Sequence, residues 1–477
     1  MSFDTIIKGG TIVTSQDTYI ADLGILDGRI EEIAPVLTDA TEIIDATGLL
    51  VMPGGIDSHV HIAQPSGDGV TMADDFESAT RSAAFGGHTT LLPFCLQSRG
   101  QTLREAVQWY HGLADGNCYT DVSFHLIITD PTPQALNQDL PALVNDGYTS
   151  VKVFMTYEGM KLSDKEILQT LEAAKNCGAL PMVHAENDDA ISYLRDVAAD
   201  RGDTAPKFHA TTRPIPAERE ATHRAIALAE IIDVPIMIVH VSNGDAIEEI
   251  KAGRARGSTV YAETCPQYLV LTADDLDTAG FDGAKFVCSP PPRDTASQVA
   301  CFAGIEDGVF DVFSSDHCPF RYDDPEGKKH PKGIKTFKYV PNGIPGVETS
   351  LPILFSEGVS KGRIDLQRFV ALSSTNHAKM YGLYPQKGEI AVGSDADFAF
   401  WDPTRKEVLR QDILHHGADY TPFEGIEVTG FPVRTILRGK TLVADGTLHQ
   451  AKGVGRYLKR AKSQDASMGL ESSISIK

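Results

Sequence analysis

Two histidines one residue apart, His59 and His61 in Gly54-Gly55-Ile56-Asp57-Ser58-His59-Val60-His61, are the first residues along the chain whose spacing suits chemistry. At positions i and i+2 of a strand they point to the same face, so both imidazoles can reach one metal ion at the strand's C-terminal end. Alone, such a pair is as readily a packing feature. Its company changes the reading: His184 in Pro-Met-Val-His-Ala-Glu-Asn, His240 in Ile-Met-Ile-Val-His-Val-Ser and Asp316 in Phe-Ser-Ser-Asp-His-Cys-Pro each close an apolar, β-like run. Imidazole nitrogens joined by a carboxylate suit Zn²⁺ or a similar divalent ion.

Lys152 interrupts another apolar run, Thr149-Ser150-Val151-Lys152-Val153-Phe154-Met155. On an edge strand a lysine lays its stem along the surface and keeps its charge in water. In a central strand it has no such exit and needs an anion or a chemical change. Burial lowers a lysine's pKa, and the neutral amine is nucleophilic. Reaction with CO2 would make it a carbamate, a carboxylate-like bridge for two metal ions about 3.5 to 4 Å apart.

These residues require a scaffold that gathers several strand ends. From about residue 51 to 383, short runs rich in β-branched residues (89–94, 123–128, 150–155, 181–184, 235–241, 285–288 and 309–314) alternate with helical stretches such as 164–174 and 217–232. The alternation predicts parallel strands with crossover helices. About 330 residues in seven or eight such units suits an α/β fold of the (β/α)8 type, whose active sites collect at the C-terminal strand ends; a doubly wound sheet is the other candidate. The chain ends have a different texture. Residues 4–8 precede Gly9-Gly10, 21–26 precede Asp27-Gly28, 433–437 precede Arg438-Gly439 and 442–444 precede Asp445-Gly446, which is hairpin punctuation. Neither end can bury a core alone, so residues 1–52 and 384–462 are expected to pair into one small β-sandwich around a barrel at 53–383. The Ser-rich stretch 463–477 reads as a flexible tail.

Composition narrows the partners. With a formal net charge of −22 over 477 residues and no block of Lys or Arg, nucleic acid and anionic membrane are poor partners, and a small molecule is expected. No run is apolar enough to span a bilayer and the first residues lack a signal-peptide pattern, so the expected location is cytoplasmic. Seven scattered cysteines without a C-x-x-C pair argue against a disulfide framework and a zinc ribbon. Neither a G-x-G-x-x-G nor a P-loop pattern follows the Gly-Gly pairs.

The set His59, His61, Lys152, His184, His240 and Asp316 resembles the metal ligands of the dihydropyrimidinase and hydantoinase family, cyclic amidases of the amidohydrolase superfamily. The likeness extends through Pro53-Gly54-Gly55-Ile56-Asp57, Phe85-Gly86-Gly87, Lys152-Val153-Phe154-Met155, His184-Ala185-Glu186-Asn187, Glu263-Thr264-Cys265-Pro266-Gln267-Tyr268, Ser289-Pro290-Pro291, Ser315-Asp316-His317-Cys318-Pro319 and Pro341-Asn342-Gly343. The resemblance implies a barrel with a composite β-sandwich, a homotetramer or homodimer, and two divalent ions, zinc first, with manganese or cobalt also suited. It implies that His59, His61 and Asp316 hold the more buried ion and His184 and His240 the more exposed one. Lys152, carboxylated by CO2 to N6-carboxylysine, would bridge the two.

It further implies that Asp316 takes the proton of a shared hydroxide and passes it to the leaving nitrogen, opening a dihydropyrimidine or 5-substituted hydantoin to an N-carbamoyl amino acid. Tyr157 would donate to the oxyanion, and main-chain groups at Ser289 and Asn342 would grip the substrate. The substrate-gating loop Ala63, Gln64, Pro65 and Ser66 departs from the bulky apolar residues of the family, which predicts a roomier or more polar pocket. That departure leans toward allantoinase or another cyclic ureide hydrolase as the rival reading. A non-catalytic scaffold of the same fold is disfavoured because all six ligand positions are kept.

Overall fold

The computed structural model describes residues 2–67 and 69–462, and the expected tail at 463–477 lies outside the described residues. Eight parallel strands form the central layer: Gly55–Val60, His88–Leu96, His125–Ile127, Ser150–Phe154, Leu180–His184, Ile236–Ile238, Val260–Thr264 and Val312–Phe313. They neighbour one another in chain order. The first and last approach through a bridge between Val60 and His317 and a 3.3 Å contact between the Ser58 and Ser314 hydroxyls, so the barrel is nearly closed. Every residue of Gly55–Val60, Ser150–Phe154 and Leu180–His184 is buried, as strands covered on both faces must be.

Two strand expectations change. The run 285–288 is not a strand: Asp282–Phe286 is a short 3₁₀ helix. The place goes to Val260–Thr264, whose Glu263 and Thr264 dilute the apolar pattern because they face the barrel's functional end. The run 235–241 pairs only over Ile236–Ile238, since the chain leaves the extended conformation at His240, φ +41°.

The crossover helices carry their own start and stop signals. Asp164–Cys177 begins at Ser163, whose hydroxyl accepts from the Glu166 main-chain N–H while the Glu166 carboxylate accepts from Ser163, and it ends at Gly178 with φ +80°. Ile215–Ile232 packs its alanine-rich face, including Ala221, Ala225 and Ala229, into the largest apolar cluster.

Both chain ends feed one nine-stranded mixed sheet. Leu50–Pro53 joins them, lying parallel to Phe3–Val13 and antiparallel to Phe398–Val408, and then runs directly into the first barrel strand. Ile7, Ile12, Leu23, Val51, Phe398, Phe400 and Ile436 share one buried cluster, so each end completes the other's core. The hairpins at Asp27-Gly28, Arg438-Gly439 and Asp445-Gly446 have positive φ at both turn residues, the two-residue geometry expected of them. Gly9-Gly10, however, is no turn. Phe3–Val13 runs straight through it with one extra residue opposite Thr18–Leu26, and Gly9 at φ +69° absorbs the bulge.

Trp401 of the sheet stacks on Phe355 at 4.9 Å and meets Phe369 edge-on, fixing the sheet to the barrel's flank. A buried Lys387 completes the junction, held by Asp121, Asp395 and Asp397 at 2.6, 3.0 and 2.5 Å. Among the described residues no helix is long and apolar enough to cross a membrane.

Candidate metal centre

Five barrel strands deliver the six expected donors to one end of the barrel. His59 lies near the end of the first strand, Lys152 within the fourth and His184 at the end of the fifth, while His61, His240 and Asp316 stand just past the first, sixth and eighth. All six line one cavity of about 430 Å³. Asp316 Oδ1 lies 3.2 Å from His59 Nε2 and 3.6 Å from His61 Nε2, a cluster compact enough for one ion. On the other side His184 Nδ1 and His240 Nε2 converge to 2.8 Å.

Lys152 stands between, fully buried, with Nζ 3.5 Å from His59 Nε2 and 4.7 Å from the Phe94 ring centre. Burial pulls its pKa down to about 8, and its charge is felt by His59, His184 and His240 alike.

Burial also lowers the pKa values of His59, His184 and His240, which keeps these imidazoles neutral and able to act as ligands. Asp316 stays ionised: burial raises its pKa, but His59, His61 and Lys152 outweigh that. Neutral imidazoles, an ionised carboxylate and an amine near its titration point make a donor set that fits divalent cations.

The residues that aim these donors were not singled out from the sequence. Glu263 Oε1 accepts from His59 Nδ1 at 2.5 Å and from the His240 main-chain N–H at 3.1 Å, leaving His59 Nε2 bare toward the cluster. Glu186 Oε2 accepts from His184 Nε2 at 2.8 Å, leaving Nδ1 bare, and is itself held by Arg213 at 2.6 Å. Burial acts to raise the Glu186 pKa, yet Arg213 and His184 bring it to about 2. Such carboxylates fix ring orientation and tautomer. Their one sequence signal was position: Glu186 follows His184 by two residues at a strand end, and Glu263 is the penultimate residue of Val260–Thr264. His317 has a different place, its ring turned away to Asp74 at 2.9 Å while its carbonyl accepts from the His61 N–H.

Across the cavity Tyr157 shares the lining with Ser289 and Asn342, and burial pushes its phenol pKa up. Its ring lies 5.3 Å from the Arg213 guanidinium. Beside Asn342, Gly343 at φ +147° would place any Cβ 2.3 Å from the Cys318 carbonyl, so the backbone there passes only as glycine. Tyr157, His240 and Asp316 of the cavity lining and Ala63 beside it hold positive φ, and among the described residues the other non-glycine residues that do so are Asp27, Asp233, Arg438 and Asp445, at turns or a helix end. Strain of about 1–3 kcal/mol per residue concentrated at one cavity is the pattern of a functional site.

The polar groups of the gating loop are engaged within the loop and with its neighbours. Gln64 turns inward, its amide spent on His61 Nδ1 at 2.8 Å and the Phe94 carbonyl at 2.5 Å, and the Ser66 hydroxyl bonds back to the Gln64 carbonyl. Pro65 and Ser66 border the cavity, where Val70, Met72, Leu96, Phe154, Met160 and Phe320 supply an apolar wall.

The chain belongs to the amidohydrolase family, whose model matches residues 50–442. Its place in that family is with the hydantoinases and dihydropyrimidinases. It is 46% identical to a D-hydantoinase of Rhizobium radiobacter over 460 residues, 96% of this chain and 99% of that protein. A D-hydantoinase of Geobacillus stearothermophilus is also 46% identical, over 96% of each chain. The crystal structure of a dihydropyrimidinase from Brevibacillus agri superposes with a TM-score of 0.93 at 44% identity, covering 96% of this chain and 99% of that one.

Proposed function

We propose that this protein is a metal-dependent cyclic amidase that opens a dihydropyrimidine or 5-substituted hydantoin to an N-carbamoyl amino acid. The observation that carries the proposal is the convergence of His59, His61, Lys152, His184, His240 and Asp316 from five strands on one cavity. In this reading His59, His61 and Asp316 would hold one ion, His184 and His240 would hold the second, and Lys152 as a carbamate would supply a ligand to both. The amine is suited to that change: with its pKa near 8 a usable fraction is neutral, and its nitrogen adds to CO2 with loss of one proton to solvent.

Divalent ions held there supply Lewis acidity and bring the pKa of bound water toward neutrality. The chain's own groups do the rest. Asp316, ionised and facing both His59 and His61, accepts the proton of the attacking water and returns it to the leaving ring nitrogen. Tyr157, kept protonated by burial, donates to the oxyanion. Main-chain groups at Ser289 and Asn342 hold the ring's amide edge, and the apolar wall receives the ring substituent.

The same reading takes zinc as the resident ion, with manganese or cobalt compatible, a homotetramer or homodimer as the assembly, and a cytoplasmic location. It takes 53–383 as the catalytic barrel and 1–52 with 384–462 as its companion domain. The polarity that pointed to allantoinase is consumed inside the gating loop, so that reading loses its support.

The test is a substrate panel on protein loaded with zinc, manganese or cobalt in bicarbonate: dihydrouracil, hydantoin, apolar and polar 5-substituted hydantoins, and allantoin. Ring opening favouring apolar substituents is expected. No turnover on any cyclic amide overturns the proposal.

A further inference from the structure

We infer that Gln64 is a positioning residue for the metal centre, fixing which nitrogen of His61 faces the ion and thereby tying the gating loop to the occupancy of that site. The inference rests on the proposed role of His61 as a ligand. It starts from the two ends of one amide. The Phe94 carbonyl, 2.5 Å away, can only accept, so the end of Gln64 that meets it must be the NH2 group. The carbonyl end is then fixed at 2.8 Å from His61 Nδ1, and because an amide oxygen can only accept, Nδ1 must carry the hydrogen. His61 Nε2 is left bare, 3.6 Å from Asp316 Oδ1, on the side where the ion is proposed to bind.

His61 thus receives its orientation from a neutral group, where His59 and His184 receive theirs from Glu263 and Glu186. An amide sets the tautomer without adding a fourth carboxylate to Asp316, Glu263 and Glu186.

The second consequence concerns the loop. Ala63 holds φ +49°, its N–H donates to the Asp74 carbonyl at 3.1 Å, and the side chain of the next residue reaches back under the loop to His61. Pro65 and Ser66, immediately beyond, border the substrate cavity. When no ion occupies Nε2, His61 can carry its hydrogen there instead and donate to Asp316, which turns Nδ1 into an acceptor and removes the bond to Gln64. Ion binding and loop docking therefore demand the same tautomer, and by linkage each strengthens the other.

Zinc affinity measured by competition with a chromophoric chelator, together with hydrogen–deuterium exchange across residues 62–72, tests this on the full-length protein. Gln64→Leu removes both bonds and is expected to weaken zinc binding about 10- to 100-fold. Its far-UV circular dichroism and urea midpoint in the metal-free state should match wild type, which loss of folding would not show. Gln64→Glu keeps an acceptor for His61 while it loses the Phe94 anchor and adds a negative charge, so its zinc affinity should fall by no more than about 3-fold. In wild type, chelation should speed exchange over 62–72, whereas Gln64→Leu should already exchange fast with zinc bound.

Unchanged zinc affinity in Gln64→Leu overturns the inference. So does an equal loss in both variants, which would assign the effect to the Phe94 anchor. His61→Ala separates this from the wider reading: if it too retains full zinc content, the ligand assignment itself fails.

Discussion

Replacing Glu263 removes two acceptor roles in one step. Its carboxylate is fully buried and accepts from His59 Nδ1 at 2.5 Å and from the His240 main-chain N–H at 3.1 Å. In Glu263→Ala, His59 loses the partner that fixes its tautomer, and removal of such a partner weakens metal affinity about 10- to 100-fold, ~1.4–2.7 kcal/mol. The His240 N–H is also left without an acceptor in a buried position, at ~1–3 kcal/mol of stability.

Glu263→Gln separates the contributions. Its amide oxygen can accept both bonds, so both acceptor roles are kept while only the charge is lost. Its metal affinity should therefore fall by no more than about 10-fold. Chelator competition reads the affinity, and thermal unfolding of the metal-free proteins reads stability without confusing it with occupancy. If Glu263→Ala bound two ions per chain with native affinity, the idea that Glu263 aims these ligands would be wrong.

Other perturbations address the remaining parts of the account. Tyr157→Phe should lower kcat about 10²- to 10³-fold with metal content unchanged, and a retained kcat would exclude the phenol as the oxyanion donor. Lys328, fully buried with Nζ donating to the Val287 and Pro341 carbonyls, has its pKa lowered by burial from 10.5 to about 7. Between those pH values the unfolded chain binds the extra proton, so the wild type should gain stability over Lys328→Met by ~1.4 kcal/mol per pH unit as pH rises from about 7. A pH-independent gap in urea midpoints would contradict this. Lys387→Met strips the cation from Asp121, Asp395 and Asp397 and should cost ~3–5 kcal/mol at the junction of sheet and barrel while sparing metal content. An unchanged melting temperature would show that the cluster carries no structural weight.

The ligands were legible because each stands at or near the end of an apolar run, where the barrel collects its functional groups; Lys152 was legible because a charge inside such a run demands a reason. The hairpins were legible from residues that tolerate positive φ. What aims the ligands was not. Glu263 and Glu186 act through side-chain directions that depend on barrel closure, and the contact of Gln64 with His61, beyond its place in the pocket lining, depends on the backbone at Ala63. The strand Val260–Thr264 was hidden by the polarity its functional end requires. The sheet's continuity across Gly9-Gly10 was hidden because a glycine pair serves a bulge as well as a turn.

The central claim is that an interior lysine becomes the anionic clamp between two cations. Metal analysis of Lys152→Ala purified in zinc and bicarbonate, before and after addition of a short carboxylic acid, tests it most directly. The account predicts fewer than two ions per chain and no ring opening, with both partly restored by the acid. Two tightly held ions and native turnover in the untreated variant would contradict it.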